Sequence, residues 1–216
     1  MNPVDFASLL CSRLCHDLIS PVGSLYNGIE LLVDETDPEM RAKVVDLLGE
    51  SAKATAAKLK FFRLAFGAAG GFGDMVDARE AQGALEGLFA ADGKVKIDWL
   101  VGNASLSKTA IKVLLNLSLI GGDALLRGGQ LHVGGEVTVA GTEIVVRAEG
   151  PRLLLDPELR AALSGATSEA ALTPRAAAAW LAHSLVVDQG GQIMISEPEA
   201  GVLLFGAVMP GRPAAA

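Results

Sequence analysis

The chain has 216 residues, with 18 Lys and Arg against 25 Asp and Glu, so its formal net charge is -7. This acidic balance argues against a nucleic-acid-binding protein, which normally presents a basic face. The sequence has no run of about 20 apolar residues and no basic N-terminal region before an apolar stretch, so neither a membrane span nor a signal peptide is predicted. We expect a cytoplasmic protein whose two cysteines, Cys11 and Cys15, are reduced thiols.

Residues 4–66 are predicted to form two long helices. In the first helix, apolar residues recur at steps of three or four, at Phe6, Leu10, Leu14, Leu18, Val22, Leu25, Ile29 and Leu32. The segment DETDP interrupts the pattern, and Asp37 and Pro38 are typical of an N-cap and a first helical position. The second helix has its own inward positions, at Val44, Leu47, Leu48, Ser51, Ala54, Leu59 and Phe62. The sequence therefore predicts an antiparallel helical hairpin.

Two helices alone cannot bury two apolar stripes. Dimerisation into a four-helix bundle is the simplest remedy, and we favour it over packing of the stripe on the chain's own second domain. The hairpin is long, and the segment GAAGGFGD that follows it is half glycine, which is typical of a helix end and a flexible link. The predicted organisation is a hairpin at 1–66, a link at 67–74, a second domain at 75–213 and a tail at 214–216.

The second domain has the pattern of a mixed fold. Residues 95–100 alternate between apolar and polar like a strand. Residues 131–139 and 143–148 are interpreted as a hairpin of strands, and 192–196 and 202–209 as closing strands. Helical periodicity predicts helices at 106–126 and 175–187. Helices that alternate with antiparallel hairpins favour a sheet with helices on one face. The predicted fold class is α+β, a helical hairpin followed by an α/β sandwich.

His16 lies off the apolar stripe of the first helix. Its neighbours on the helix surface are small or polar, namely Ser12, Arg13, Ser20 and Gly23. An imidazole in solvent titrates at about pH 6.5 and is a competent nucleophile at neutral pH. Asp17 is placed to orient the ring or take its proton, and Pro21 is expected to kink the helix one turn later. The alternative is a solvated surface histidine beside a solvated aspartate.

The segment HDLISPVGS resembles the H-box of two-component sensor kinases. His16 falls on the phosphorylated position, Asp17 on the acidic one and Pro21 on the kink. Ile19 stands where the kinases usually carry arginine. In the kinases, a helical hairpin with this motif precedes a domain that binds ATP.

The second domain resembles that ATP-binding domain but lacks its ATP contacts. Asn116 matches the first asparagine of the N-box, and the turn at Gly190 and Gly191 also matches. The other nucleotide-binding positions are occupied by Ile120, Ala148, Arg152, Ala176 and Ala178. Isoleucine cannot ligate Mg²⁺, and alanine cannot accept a hydrogen bond from adenine. We therefore expect no cofactor bound by this chain.

This combination, from Phe6 to Pro210, resembles the bacterial histidine phosphotransferases of the ChpT family. The resemblance implies a homodimer that accepts a phosphoryl group from the receiver domain of a hybrid histidine kinase (CckA in the family) onto His16. It then passes the group to response regulators (CtrA and CpdR in the family), within cell-cycle control. The receiver supplies Mg²⁺. His16 and Asp17 are the expected catalytic residues, and the expected partner contacts are Ser12, Arg13, Ser20, Gly23, Ser24 and Asn27. An atypical ATP-dependent histidine kinase and a non-catalytic receiver-docking scaffold remain alternatives.

Other candidate sites are weaker. A metal site at Cys11 and Cys15 needs further ligands that the sequence does not place nearby, so apolar packing of both cysteines is expected. His183 is predicted to be an ordinary half-buried residue, and His132 a surface residue at the start of a strand. The glycine pairs at 121–122 and 128–129 are interpreted as a helix end and a turn.

Overall fold

A computed structural model describes residues 2–67, 74–91 and 93–211. The chain begins with helix α1, Pro3–Asp34, and helix α2, Pro38–Ala65. Both helices have proline in the first turn and a side-chain cap. Among the described residues, no helix is long and apolar enough to cross a membrane.

The two helices are antiparallel neighbours, as predicted. Near the turn, the Arg41 guanidinium donates to the backbone oxygen of Leu32 at 2.9 Å. Further along, Gly28 of α1 faces Leu48 of α2 so closely that a Cβ on Gly28 would lie 2.7 Å from a Leu48 methyl carbon. This glycine therefore allows the two helices to approach each other.

The rest of the chain forms a sheet domain. Its strands are β1 Met75–Asp77, β2 Val95–Trp99, β3 Ser105–Ser107, β4 Gly129–Thr138, β5 Gly141–Glu149, β6 Gln192–Ile195 and β7 Val202–Pro210. Its α-helices are α3 Ala78–Ala90, α4 Lys108–Ala124, α5 Pro157–Leu163 and α6 Ala177–Asp188.

Five of the strands form one sheet in the order β2-β4-β5-β7-β6. The β2–β4 pair is parallel and the other pairs are antiparallel. The register aligns Val133, Val146 and Phe205, all three fully buried, across the three central strands. Strands β1 and β3 pair separately.

The core lies on one face of the sheet. In β5, Ile144, Val146 and Ala148 are buried while Val145 is half exposed, which is the period-two pattern of a sheet covered on one side. Helix α4 packs on the covered face. The prediction that Gly121 and Gly122 end this helix is wrong, because α4 continues to Ala124. A Cβ at either position would press on core side chains, so these glycines allow close packing.

The base of the hairpin shares this core. Phe61, Phe62, Leu64 and Ala65 at the end of α2 are buried against the sheet domain. The predicted link at 67–74 lies outside the described residues except for its two ends, and the predicted tail at 214–216 lies outside them entirely.

Several elements were not predicted from the sequence, among them α3 and α5. In α3 the buried positions are Ala78, Ala81, Ala84 and Leu85, and two glycines lie within the continuous helix. These buried positions recur at helical spacing, so the pattern that identifies α3 is present in the sequence. The strands and helices that were predicted are present with ends shifted by one or two residues, as is usual for sequence patterns.

Candidate functional site

Helix α1 has three different faces. The face toward α2 carries side chains that are wholly or partly buried, among them Leu14, Leu18, Pro21, Leu25 and Leu32. A second face carries exposed apolar side chains at Ile19, Val22, Tyr26, Ile29 and Val33. At about 100° per residue, the third face places Ser12, Ser20, Gly23 and Asn27 each within roughly 40° of His16. Val22 and Ile29 were predicted to point inward, and this prediction is wrong for the single chain.

The imidazole of His16 projects into solvent, as predicted, with 84% of its side chain exposed. Its Nδ1 lies 3.2 Å from Oδ1 of Asp17. An ionised carboxylate can only accept hydrogen bonds, so this contact favours the tautomer with the proton on Nδ1. The other ring nitrogen, Nε2, is then left with its lone pair open to solvent.

Arg13 occupies the second oxygen of Asp17. Its Nε donates to Oδ2 of Asp17 at 2.9 Å, and its Nη2 lies 3.4 Å from Oδ2 of Asp123 on α4. Only 15% of the Arg13 side chain and 18% of the Asp17 side chain are exposed. Arg13 was predicted to contact a partner, but the structure turns its guanidinium toward two carboxylates of its own chain.

Pro21 explains a contact that sequence analysis missed. A helical residue at position 21 would donate its backbone N–H to the carbonyl oxygen of Asp17, and proline has no such donor. Lys58 of α2 supplies the missing bond, since its Nζ donates to that oxygen at 2.8 Å. The proline and the lysine together fix the backbone beside His16.

The remaining predicted partner residues lie along the helix from His16. Ser12 and Ser20 are exposed, and a Cβ on Gly23 would meet no atom within 4 Å. Ser24 is half buried, and its hydroxyl donates to the Ser20 carbonyl oxygen at 3.1 Å. Asn27 is exposed and, at about 1.5 Å per residue, roughly 16 Å along the axis. These residues give the surface around the imidazole little steric bulk.

Asn116, the retained N-box residue, is fully buried. Its Nδ2 donates to the backbone oxygens of Ala65 at 3.0 Å and Lys112 at 2.7 Å. It therefore joins the hairpin to α4. The other N-box position and three positions of the nucleotide pattern are buried alkyl groups, at Ile120, Ala148, Ala176 and Ala178. Arg152 is exposed.

Cys11 and Cys15 are both exposed and unpaired by disulfide, so the prediction that they pack in an apolar interior is wrong for the single chain. They lie on the side of α1 that α2 does not cover. Within the described residues, no group of three or more His, Cys, Asp or Glu is arranged to hold a metal ion.

The other two histidines lie in the sheet domain. His183 is half buried, as predicted, with Nδ1 2.9 Å from the Leu163 carbonyl oxygen. His132 is partly exposed, and its Nδ1 pairs with Asp98 at 2.8 Å. Neither histidine lies in α1 beside His16.

Sequence analysis missed Lys58 and Asp123. The absent donor at Pro21 signals that the Asp17 carbonyl needs another partner, but finding Lys58 requires the register of the hairpin. Asp123 carries a local signal of its own. A carboxylate in the last turn of a helix opposes the helix dipole and calls for a nearby cation.

Comparison with known proteins agrees with this architecture. A family model described as the histidine phosphotransferase C-terminal domain matches residues 78–201, more than half of the chain. The protein phosphotransferase ChpT of Brucella abortus (strain 2308) is 35% identical over 195 residues, which cover 90% of this chain and 91% of that protein. The chain belongs to the histidine phosphotransferase family.

A solved structure of a bacterial phosphotransferase, determined at 1.7 Å, has a TM-score of 0.84 and 33% identity, and the match covers 96% of this chain and 97% of that one. The histidine kinase AdeS of Acinetobacter baumannii is 13% identical with a TM-score of 0.47, over 92% of this chain and 98% of that one. As a member of this family, the protein is a phosphotransferase that acts in a phosphorelay.

We predict that Lys58→Met lowers the free energy of unfolding by about 1 kcal/mol, because the Asp17 carbonyl loses its donor. Pro21→Ala restores a backbone N–H at that position, so Lys58→Met should cost much less in the Pro21→Ala background. Urea unfolding of the two single variants and the double variant measures the coupling. Equal costs in both backgrounds would show that Lys58 does not serve the carbonyl left open by Pro21.

Proposed function

We propose that His16 is the phosphoryl-accepting residue of this phosphotransferase. The observation that carries the proposal is the exposed imidazole whose Nδ1 is engaged by Asp17, which leaves Nε2 as the only ring nitrogen facing a partner. The donor is an aspartyl phosphate on the receiver domain of a hybrid histidine kinase. The acceptor is the corresponding aspartate on a response regulator.

The transfer requires no proton to leave the ring. The Nε2 lone pair attacks phosphorus while the bond to the donor's carboxylate oxygen breaks, and the aspartate leaves as a carboxylate. The product is an imidazolium that carries phosphorus on Nε2 and the proton on Nδ1. Asp17 balances its positive charge. Attack by the acceptor aspartate then breaks the N–P bond and returns the ring to its neutral form.

The receiver domain supplies the Mg²⁺ and the cation that neutralise the transferring group, as phosphoryl transfer demands. The phosphotransferase contributes a positioned nucleophile and a surface without bulky side chains. Ser12, Ser20, Gly23 and Asn27 form that surface, with Ser24 beside them. The family resemblance points to CtrA-like and CpdR-like acceptors in cell-cycle control.

We also propose that the phosphoryl group does not come from ATP. Asn116 donates its amide nitrogen to the backbone of α2 and α4, and its side chain is fully buried, so a nucleotide does not meet it without rearrangement of the core. Ile120 offers no oxygen ligand to Mg²⁺, and the Ala148 side chain offers no acceptor to adenine.

We further propose that the active form is a homodimer in which the hairpins form a four-helix bundle. The apolar stripe of α1 has the alternating three- and four-residue spacing of a bundle seam, at Ile19, Val22, Tyr26, Ile29 and Val33. Helix α2 adds exposed apolar side chains at Met40 and Leu47, also seven residues apart. A patch of this kind at helical spacing fits a second copy of the same hairpin.

His16→Gln should abolish transfer of radiolabel from a purified receiver domain that carries a labelled aspartyl phosphate. His132→Gln replaces a histidine on the sheet and should transfer like the wild type. The label on the wild-type protein should be acid-labile, as phosphohistidine is. Label that still appears on the His16→Gln variant would show that His16 is not the nucleophile. Wild-type protein that binds the receiver without becoming labelled would favour a docking scaffold.

Incubation with radiolabelled ATP and Mg²⁺ should leave the wild-type protein unlabelled, and calorimetry with a non-hydrolysable ATP analogue should give no binding at micromolar concentrations. The reason is the loss of the Mg²⁺ and adenine contacts. The receiver-domain donor serves as the positive control for the same protein sample. Micromolar binding of the analogue, or label on His16 from ATP, would instead identify an atypical kinase.

Ile29→Glu should convert the dimer to a monomer in light scattering at micromolar concentration, because it places a charge in the proposed seam. Val45→Glu is the matched control. Its side chain is exposed to a similar degree, 55% against 57%, but it lies off the seam on α2. A wild-type mass in solution of 22.3 kDa, rather than twice that mass, would contradict the proposed four-helix bundle.

A further inference from the structure

Asp123 lies at the junction of the hairpin and the sheet domain. It is the next-to-last residue of α4, the helix that also carries Asn116. Its Oδ2 lies 3.4 Å from Nη2 of Arg13, a residue 110 positions earlier in the chain. This ion pair is therefore a direct side-chain contact between the sheet domain and the helix that carries His16.

The contact continues as a chain of charged groups to the imidazole. The planar guanidinium of Arg13 is held at Nη2 by Asp123 and at Nε by Asp17. Because Oδ2 of Asp17 is taken by Arg13, Oδ1 is the oxygen left for Nδ1 of His16, at 3.2 Å. A planar guanidinium that is bonded at two edges cannot rotate freely, so Arg13 fixes the rotamer of the Asp17 carboxylate.

Asp123 is partly exposed, so its ion pair with Arg13 contributes little to stability. Desolvation raises its pKa, although 46% of its side chain is exposed, and Asp17 raises it further, while Arg13 and Arg175 lower it. The folded state thus holds this proton more tightly than the unfolded state, and stability falls as pH rises from the unfolded pKa to the folded one. Asp123 also lies at the C-terminal end of α4, where the negative end of the helix dipole disfavours a carboxylate.

We propose that Asp123 is a positioning residue for phosphotransfer, which acts through Arg13 and Asp17 to hold His16 with its proton on Nδ1 and Nε2 toward the receiver domain. The inference rests on the proposed role of His16. The sheet domain would then take part in the reaction without binding a nucleotide, because its helix α4, which resembles the N-box helix of the kinases, fixes the geometry of the histidine.

The test compares Asp123→Asn with a matched control, Asp98→Asn. Asp98 is also a partly exposed carboxylate of the sheet domain, 42% against 46%, and it pairs with His132. Asp123→Asn should slow transfer from a labelled receiver domain on the order of tenfold, and Asp123→Glu should recover part of the rate. The melting temperature should fall by no more than about 2 °C. Asp98→Asn should transfer at the wild-type rate.

A double-mutant cycle shows whether the effect passes through Asp17. In an Asp17→Asn background, Asp123→Asn should cause little further loss, because the connection is already broken. The same loss in both backgrounds would contradict the proposal, and so would wild-type transfer by Asp123→Asn alone.

A partner-free readout separates this proposal from the proposed function. Nitrogen NMR of the His16 ring should show the Nδ1–H tautomer reduced in Asp123→Asn and unchanged in Asp98→Asn. A failure of the wild-type protein to accept label would count against the proposed role of His16. An unchanged tautomer ratio in Asp123→Asn would count against the positioning role of Asp123, whatever the wild type does.

Discussion

The carboxylate and carbonyl of Asp17 connect the exposed imidazole to both helices of the hairpin and, through Arg13, to the sheet domain. One carboxylate oxygen faces His16, the other accepts from Arg13, and the backbone oxygen accepts from Lys58. Each of these contacts removes a degree of freedom from the residue beside the histidine. The imidazole itself remains in solvent, so the structure combines a fixed support with an accessible ring.

In the sheet domain, several positions that resemble the nucleotide contacts of the kinases take part in packing. Asn116 now bonds the carbonyl of Ala65, and the groups at Ile120 and Ala148 belong to the apolar core. Because α4 also carries Asp123 at its end, the same helix both anchors the base of the hairpin and reaches Arg13. In this family member the second domain is therefore a structural partner of the hairpin.

Sequence analysis predicted the hairpin, the main strands and the solvent-facing histidine, because these follow from periodicities that extend over many residues. It was wrong where the outcome depends on what covers a surface. Val22, Ile29 and both cysteines were expected to be buried, yet α2 covers only one side of α1. It also missed Lys58 and Asp123, whose partners lie 41 and 110 residues away, since neither register nor domain contact is encoded locally.

The most direct test of the account is which ring nitrogen carries the phosphoryl group. Nitrogen–phosphorus correlation NMR of the freshly phosphorylated protein identifies the bonded atom. Since Asp17 engages Nδ1, the account predicts phosphorus on Nε2 of His16 alone. Phosphorus on Nδ1, or on a histidine other than His16, would contradict it.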